Sequence, residues 1–397
     1  MITTINNEHE KNQGRKVLNV PNLRFPEFQG EWEKCKLGDK CDLLCGYAFD
    51  GKDIVEQGTY LLMRGINITE GIIRHSAELD RYYTGSVNNL TKYKLTTGDL
   101  VIGMDGSKVG RNSAIVSPKE NESYLVQRVC RIKSCIGNDL IFQLVNNHKF
   151  HKYVDMVKTS SAIPHISLKD IQNFPIAVPS VQKEADKISR LFHLLDERIA
   201  TQNKIIEDLK KLKSAISKKL LYNDKWTTYK IQDIAEIGRE RVISSVEIDR
   251  QKHPLYPVYS SQTSNDGIMG YLDNYMFDGE YITWTTDGAN AGTVFYRKGK
   301  FNCTNVCGTL KIQPKFDCYF VSLVLQQATQ KYVSSNLANP KLMNNTMASI
   351  KIRMPNIETQ KQLSKVFQTL DSCLLVHQRT CKMYLSEKQY LLCQMFI

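Results

Sequence analysis

After Pro179 the apolar residues fall into a regular stripe. Ile188, Phe192, Leu195, Ile199, Gln202, Ile206, Leu209, Lys213, Ile216 and Leu220 are separated by alternating steps of four and three. That is the heptad spacing of a helix that packs against a partner helix. Neither glycine nor proline interrupts the run, and the spacing predicts one long helix over 181–222. Adding 175 to every position gives Leu363, Phe367, Leu370, Leu374, His377, Cys381, Tyr384, Lys388, Leu391 and Met395, a second stripe that predicts a second long helix over 357–397. The polar breaks coincide at Gln202/His377 and Lys213/Lys388, and Asp196 coincides with Asp371. A helix of about 40 residues is about 60 Å long, and an apolar stripe of that length needs cover. The matched polar breaks favour each helix covering the other over each lying on its own domain. The chain returns through a globular segment between them, so the expected pairing is antiparallel, a rod with a pseudo-twofold axis and a domain at each end.

The duplication extends through the rest of the chain. Trp32 to Asp39 matches Trp226 to Asp233, Gly98-Asp99-Leu100-Val101-Ile102 matches Gly279-Glu280-Tyr281-Ile282-Thr283, and Val129-Cys130 matches Val306-Cys307. Asp105-Gly106 with Gly110 matches Asp287-Gly288 with Gly292, and Pro164/Pro179 have the same spacing as Pro340/Pro355. The β-branched and aromatic runs Tyr281–Thr286 and Thr293–Tyr296, and Leu100–Ile102, read as strands bounded by turns. Leu140–Thr159 and Tyr319–Ser335 read as helices. The expected organisation is a polar arm (1–20), a first α+β domain (21–180), the first long helix (181–222), a second α+β domain (223–356) and the second long helix (357–397).

Charge narrows the partners. Among 397 residues, 53 Lys and Arg against 41 Asp and Glu give a net charge of +12, which favours a polyanion. No run of 18 apolar residues is present, and MITTINNEHEKNQGRK lacks the apolar core of a signal peptide, so a cytoplasmic location and no membrane partner are expected. The eleven cysteines then read as reduced thiols. Cys41/Cys45 and Cys303/Cys307 have C-x3-C spacing without a histidine at ligand spacing, so buried thiols are favoured over a metal site. No phosphate loop, G-x-G-x-x-G, H-E-x-x-H, G-x-S-x-G or Pro-Pro dipeptide of the amino-methyltransferase type occurs, so no catalytic residue is assigned. Polar and basic loops suit DNA instead. In the second domain the candidates are Tyr259, Ser260, Ser261, Gln262, Thr263, Trp284, Asn290, Arg297, Lys298, Lys300, Thr304 and Asn305; in the first, Arg64, Asn67, Arg74, Lys108, Arg111, Gln127, Arg128 and Arg131.

The run Pro21-Asn22-Leu23-Arg24-Phe25-Pro26-Glu27-Phe28-Gln29-Gly30-Glu31-Trp32 resembles the N-terminal signature of specificity subunits of Type I restriction-modification systems. Tyr256–Thr263, Asp287–Thr293 and Phe301–Asn305 resemble their target recognition domains, and Pro355–Gln360 with Phe367 and Leu370-Asp371 resembles their repeated helical region. The first copy departs at Val181-Gln182-Lys183-Glu184, which lacks the matching glutamine. The resemblance implies a non-catalytic subunit that binds double-stranded DNA. By that resemblance, two target recognition domains are expected each to read half of a bipartite site, with paired helices that set the gap and dock methyltransferase subunits. It further implies two methyltransferase and two endonuclease/translocase partners, which hold the S-adenosylmethionine, ATP and Mg; no cofactor is expected in this chain. The rival readings are a single-chain nuclease or methyltransferase with its own recognition domains, and a coiled-coil scaffold that binds no DNA.

Overall fold

The computed structural model describes residues 19–334 and 339–397 and the short strand Thr3–Thr4; the polar arm lies almost wholly outside the described residues. The chain divides into two compact units, 1–202 with 380–397, and 203–379. The long helices are Gln182–Leu220 and Ile357–Met395. Each therefore begins in one unit and ends in the other. No helix among the described residues is long and apolar enough to cross a membrane.

Each unit is α+β and built to one plan. In the first, a four-stranded antiparallel sheet runs Cys41–Cys45, Val129–Ser134, Leu100–Gly103, Ser113–Ile115; in the second, the order is Ala235–Arg239, Cys307–Ile312, Glu280–Thr285, Val294–Lys298. A small sheet stands beside each: Tyr124–Leu125, Tyr60–Met63, Tyr82–Tyr83 and Ile54–Val55 in the first, and Ile268–Leu272, Tyr256–Tyr259 and Asn302–Cys303 in the second. The repeated Asp-Gly turns are anchored alike, with Gly106 N donating to Pro164 O and Gly288 N to Pro340 O, both at 3.0 Å.

The strand alignment needs a one-residue correction. Gly110 N donates to Gly103 O and Gly292 N to Thr285 O, while Val129 faces Gly103 and Cys307 faces Thr285. Leu100 thus corresponds to Ile282 and Val129 to Cys307, so the second copy has one extra residue before its strand. The central strands are buried on both faces, and no polar alternation was available to fix their register. The helix expected over Leu140–Thr159 is two, Asn138–Val145 and His148–Val157. Asn147 caps the second by accepting from Lys149 N at 3.1 Å. The one expected from Tyr319 is Cys318–Ala328, followed by a 3-10 turn, Thr329–Tyr332; Ser335 lies outside the described residues.

The heptad positions of both long helices are buried or half-buried, except Leu220 at the end of the first. Within the first unit Asp196 Oδ1 accepts from Lys388 Nζ at 2.6 Å. Arg198 Nη1 lies 3.5 Å from the Tyr384 hydroxyl, so the two segments run antiparallel. Within the second, Lys213 pairs with Asp371. Each aspartate is also held by its own domain: Gln143 Nε2 donates to Asp196 at 3.1 Å and the Tyr319 hydroxyl to Asp371 at 2.5 Å. Burial, and then the Asp371 carboxylate, push the Tyr319 phenol far above its ordinary range.

Helix ends complete the domain cores. Leu391, Leu392, Met395 and Phe396 are buried with Trp32 and Phe192 in the first unit, where the Phe396 ring lies 6.2 Å from Trp32 and 5.7 Å from Phe192. In the second, Ile216 and Leu221 join Trp226, Phe320 and Phe367. The N-terminal signature has a mechanical role. Arg24 binds Glu184 with two bonds, Nε to Oε1 at 2.6 Å and Nη2 to Oε2 at 2.7 Å, and Trp32 Nε1 donates to the same carboxylate at 3.3 Å. Both charges are buried. In the second unit buried Gln360 serves its helix start instead, accepting from Asp317 N at 3.0 Å and donating to Pro355 O at 2.8 Å. Glu184 and its arginine are the first copy's alternative to that glutamine.

Candidate nucleic-acid interface

In the first unit three segments meet. Gly71 N donates to Ser113 O at 2.8 Å and Lys108 pairs with Glu70 at 2.9 Å, which joins the 64–74 loop to the Asp-Gly turn. Met104 N donates to Arg128 O at 2.9 Å and brings in Gln127 and Arg128. Arg74, Lys108, Gln127 and Arg128 are exposed there, and Arg64 is half-buried. Arg128 has φ 69°, an unusual left-handed position for a side chain of its size. Arg111 is engaged by Asp155, Nη2 to Oδ2 at 2.6 Å. Hydrogen bonds from Arg111 and then Lys158 draw the Asp155 carboxyl down to about 2.

Two first-unit candidates are corrected. Asn67 is buried and works as an internal tie, its Nδ2 donating to Arg74 O at 3.2 Å and Asp80 Oδ1 at 3.1 Å. Arg131 is buried in the sheet, donating to Lys92 O at 2.9 Å. Tyr47 was missed. It is 39% exposed, its carbonyl accepts from Gln127 N at 2.8 Å, and its ring lies 5.1 Å from Phe49 and 5.3 Å from Tyr93; a Tyr-x-Phe run does not show in sequence which ring faces solvent.

In the second unit the small sheet places Tyr259 beside Cys303, and Thr304 N donates to Tyr259 O at 3.0 Å. Thr286 N donates to Val306 O at 3.1 Å, bringing the Asp287–Gly292 turn alongside. Ser260, Ser261, Gln262 and Asn305 are half-buried at this cluster, while Thr263 and Asn290 are exposed. Arg239, missed in the sequence, joins them. Its Nε donates to Asn305 O at 2.5 Å and its Nη2 lies 3.5 Å from Asp287. It ends a strand, and nothing in the chain pattern marked that end as facing the loops.

Trp284 is corrected to a core residue. It is fully buried, and its Nε1 donates to Leu342 O at 2.9 Å. Its ring lies over Gly308, where a Cβ would come within 2.2 Å of it, so glycine is required there. Thr304 and Arg297 are also buried. Lys298 pairs with Glu280 at 3.1 Å and Lys300 lies 4.4 Å over the Tyr275 ring. Those two lysines sit at the Gly279/Gly299 end of a hairpin whose other end leads into Asn290, so they do not share a patch with it. Cys303 and Cys307 are buried, and no cluster among the described residues is suited to a metal.

The sequence matches the Type I restriction modification DNA specificity domain over residues 29–211 and again over 223–382. It is 36% identical over 217 residues to a putative type I specificity subunit of Mycoplasma pneumoniae, spanning 53% of this chain and 80% of that protein. The N-terminal part of another such subunit from the same organism is 44% identical over 147 residues, 36% of this chain and 76% of the relative. The fold is similar to the crystal structure of a Type-I restriction-modification system S subunit from M. genitalium, with a TM-score of 0.72 at 16% identity over 95% of this chain and 99% of that one. With the domain matched once in each repeat, the chain belongs to the Type I restriction-modification DNA specificity family, as a specificity subunit and not a catalytic one.

Proposed function

We propose that the two units read the two halves of an asymmetric, bipartite double-stranded DNA site. The observation that carries this reading is a shared plan with unlike chemistry at the same place. Around the anchored Asp-Gly turn the first unit presents Arg64, Arg74, Lys108, Gln127 and Arg128, and the second presents Ser260–Thr263, Asn290, Asn305 and Arg239. Different side chains on one scaffold suit different half-sites, since base edges are distinguished by donor and acceptor pattern. The long helices set the gap, and their repeated surfaces dock two methyltransferase subunits. Two endonuclease/translocase subunits complete the assembly. S-adenosylmethionine, ATP and Mg belong to those partners, and the complex works in the cytoplasm.

The experiment is methylation mapping with the methyltransferase partner. Replacing Asn290 and Asn305 by Ala relaxes one half-site by about 1–3 kcal/mol per lost bidentate contact, and leaves the other unchanged. Replacing Arg64 and Arg128 acts on the opposite half. Equal loss at both halves from either variant overturns the two-reader proposal.

A further inference from the structure

The Arg297 guanidinium lies between two aromatic rings, 3.6 Å from the Tyr259 centroid and 4.3 Å from that of Phe295. Its Nε donates to Thr283 Oγ1 at 3.2 Å, and its Nη2 to the Asp266 carbonyl at 2.7 Å. Only 7% of the residue is exposed. A phosphate clamp needs its donors turned to solvent; here the planar faces are covered and two donors are spent on the protein. Asp266 lies in an unusual loop: Asn265 (φ 50°), Asp266 (φ 52°) and Gly267 (φ 82°) are consecutive left-handed residues. Asn and Asp tolerate this conformation better than other side chains but less freely than glycine, so three such residues in a row gain from a contact that holds the loop from outside. Arg297 does so from beneath, and a Cβ on Gly267 would stand 3.2 Å from its Nη2. The loop closes through Ser260 N donating to Gly267 O at 2.9 Å, and Gln262 Nε2 donates to Ile268 O. Thr263, Ser264 and Asn265 are left exposed on it.

We infer that Arg297 is a positioning residue for base specificity: it fixes the Ser260–Gly267 loop in the shape that reads the second unit's half-site. This rests on the two-reader proposal. The test uses the full chain with its methyltransferase partner and maps the methylated motif. R297A relaxes base preference tenfold or more within that half-site, leaves the other half-site intact and keeps the salt dependence of binding. R297K behaves like R297A, because an ammonium neither fills the slot between two rings nor donates in two fixed directions. Adding D266G to R297A restores part of the preference, since glycine takes positive φ unaided. A general loss of folded protein lowers the yield of complex without changing the motif, so the motif separates positioning from mere stability. If R297A does not fold, T283V removes one support and gives a smaller relaxation of the same half-site; an unaltered motif in T283V overturns the inference. So does a phosphate-contact signature, in which R297K is like the parent and R297A weakens all sequences evenly with the salt slope reduced by about one. Failure of the underlying reading looks different: the parent chain then yields no two-part motif at all.

Discussion

A buried polar side chain is held by its hydrogen bonds, so its donors and acceptors are used inside the fold and not on a ligand. Arg297, Arg131, Asn67, Thr304 and Trp284 have the chemistry of DNA contacts, yet each is buried. Five buried polar or aromatic groups in strands and tight turns look the same in a sequence as exposed ones. The heptad interruptions were more informative. Lys213 and Lys388 read as breaks in the stripe, and the structure gives each the aspartate of the other copy as its partner. Lys388→Ala leaves Asp196 half-buried, so the expected cost lies between the roughly 0–1 kcal/mol of an exposed pair and the roughly 3–5 kcal/mol of a buried one. A double-mutant cycle with Asp196→Ala by urea denaturation measures it. The Arg24–Glu184 pair is fully enclosed, and Arg24→Ala costs about 3–5 kcal/mol by stranding the carboxylate. Trp32, bonded to Glu184, reports that loss by fluorescence once Trp226 and Trp284 are replaced by Phe. Acid titration has a further target at Glu120. Burial raises its pKa, but hydrogen bonds from the Ser117 hydroxyl, the His75 ring and the Ser117 amide outweigh this and hold it below 4.5. A depressed carboxyl stabilises the fold above its ordinary value, and that stability is lost as pH falls through the lowered one. The stability gap between the parent and Glu120→Gln therefore shrinks as pH falls from neutral through the lowered carboxyl pKa; a gap that widens contradicts the assignment.

At the scale of elements the two long helices were almost fully legible, because a 3.5-residue period sustained over many turns has few alternatives. The strands were harder. With both faces buried, their apolar runs fixed existence but not register, and the repeat slipped by one residue. The break at Asn146-Asn147 followed from a side-chain cap that competes with helix continuation. What no pattern revealed is that the last turns of each helix belong to the other copy's domain core. Deleting Thr380–Ile397 removes Leu391, Leu392, Met395 and Phe396 from the first unit. At about 1.5–3 kcal/mol per fully buried side chain, the loss of roughly 6–12 kcal/mol rivals the whole stability of a domain. Hydrogen exchange should show the Trp32 region open and the Trp284 region protected. Loss of protection in both places equally would contradict this division.

At the scale of the molecule, the gap-setting role of the helices can be tested through their pairings. Asp196 to Lys213 and Asp371 to Lys388 are equal intervals along the two helices. Four residues added near Ile206 alone break that equality, so the expected result is loss of methylation. Four added to both helices, near Ile206 and near Cys381, restore it. The pair then lengthens by about 6 Å, and methylation mapping should find the same half-sites with a gap longer by one or two base pairs, at about 3.4 Å per pair. An unchanged gap in the doubly extended chain rejects the ruler. The split build of the first unit also imposes an order in time. Residues 203–379 are contiguous and have their whole core once they leave the ribosome, whereas the first unit needs residues 380–397. At about 5–20 residues per second, the earlier-made half waits roughly ten to forty seconds for its closing segment. During that interval Trp32 and Phe192 lack the ring that covers them, so the part synthesised first finishes folding last and is the stretch of the nascent chain most in need of a chaperone.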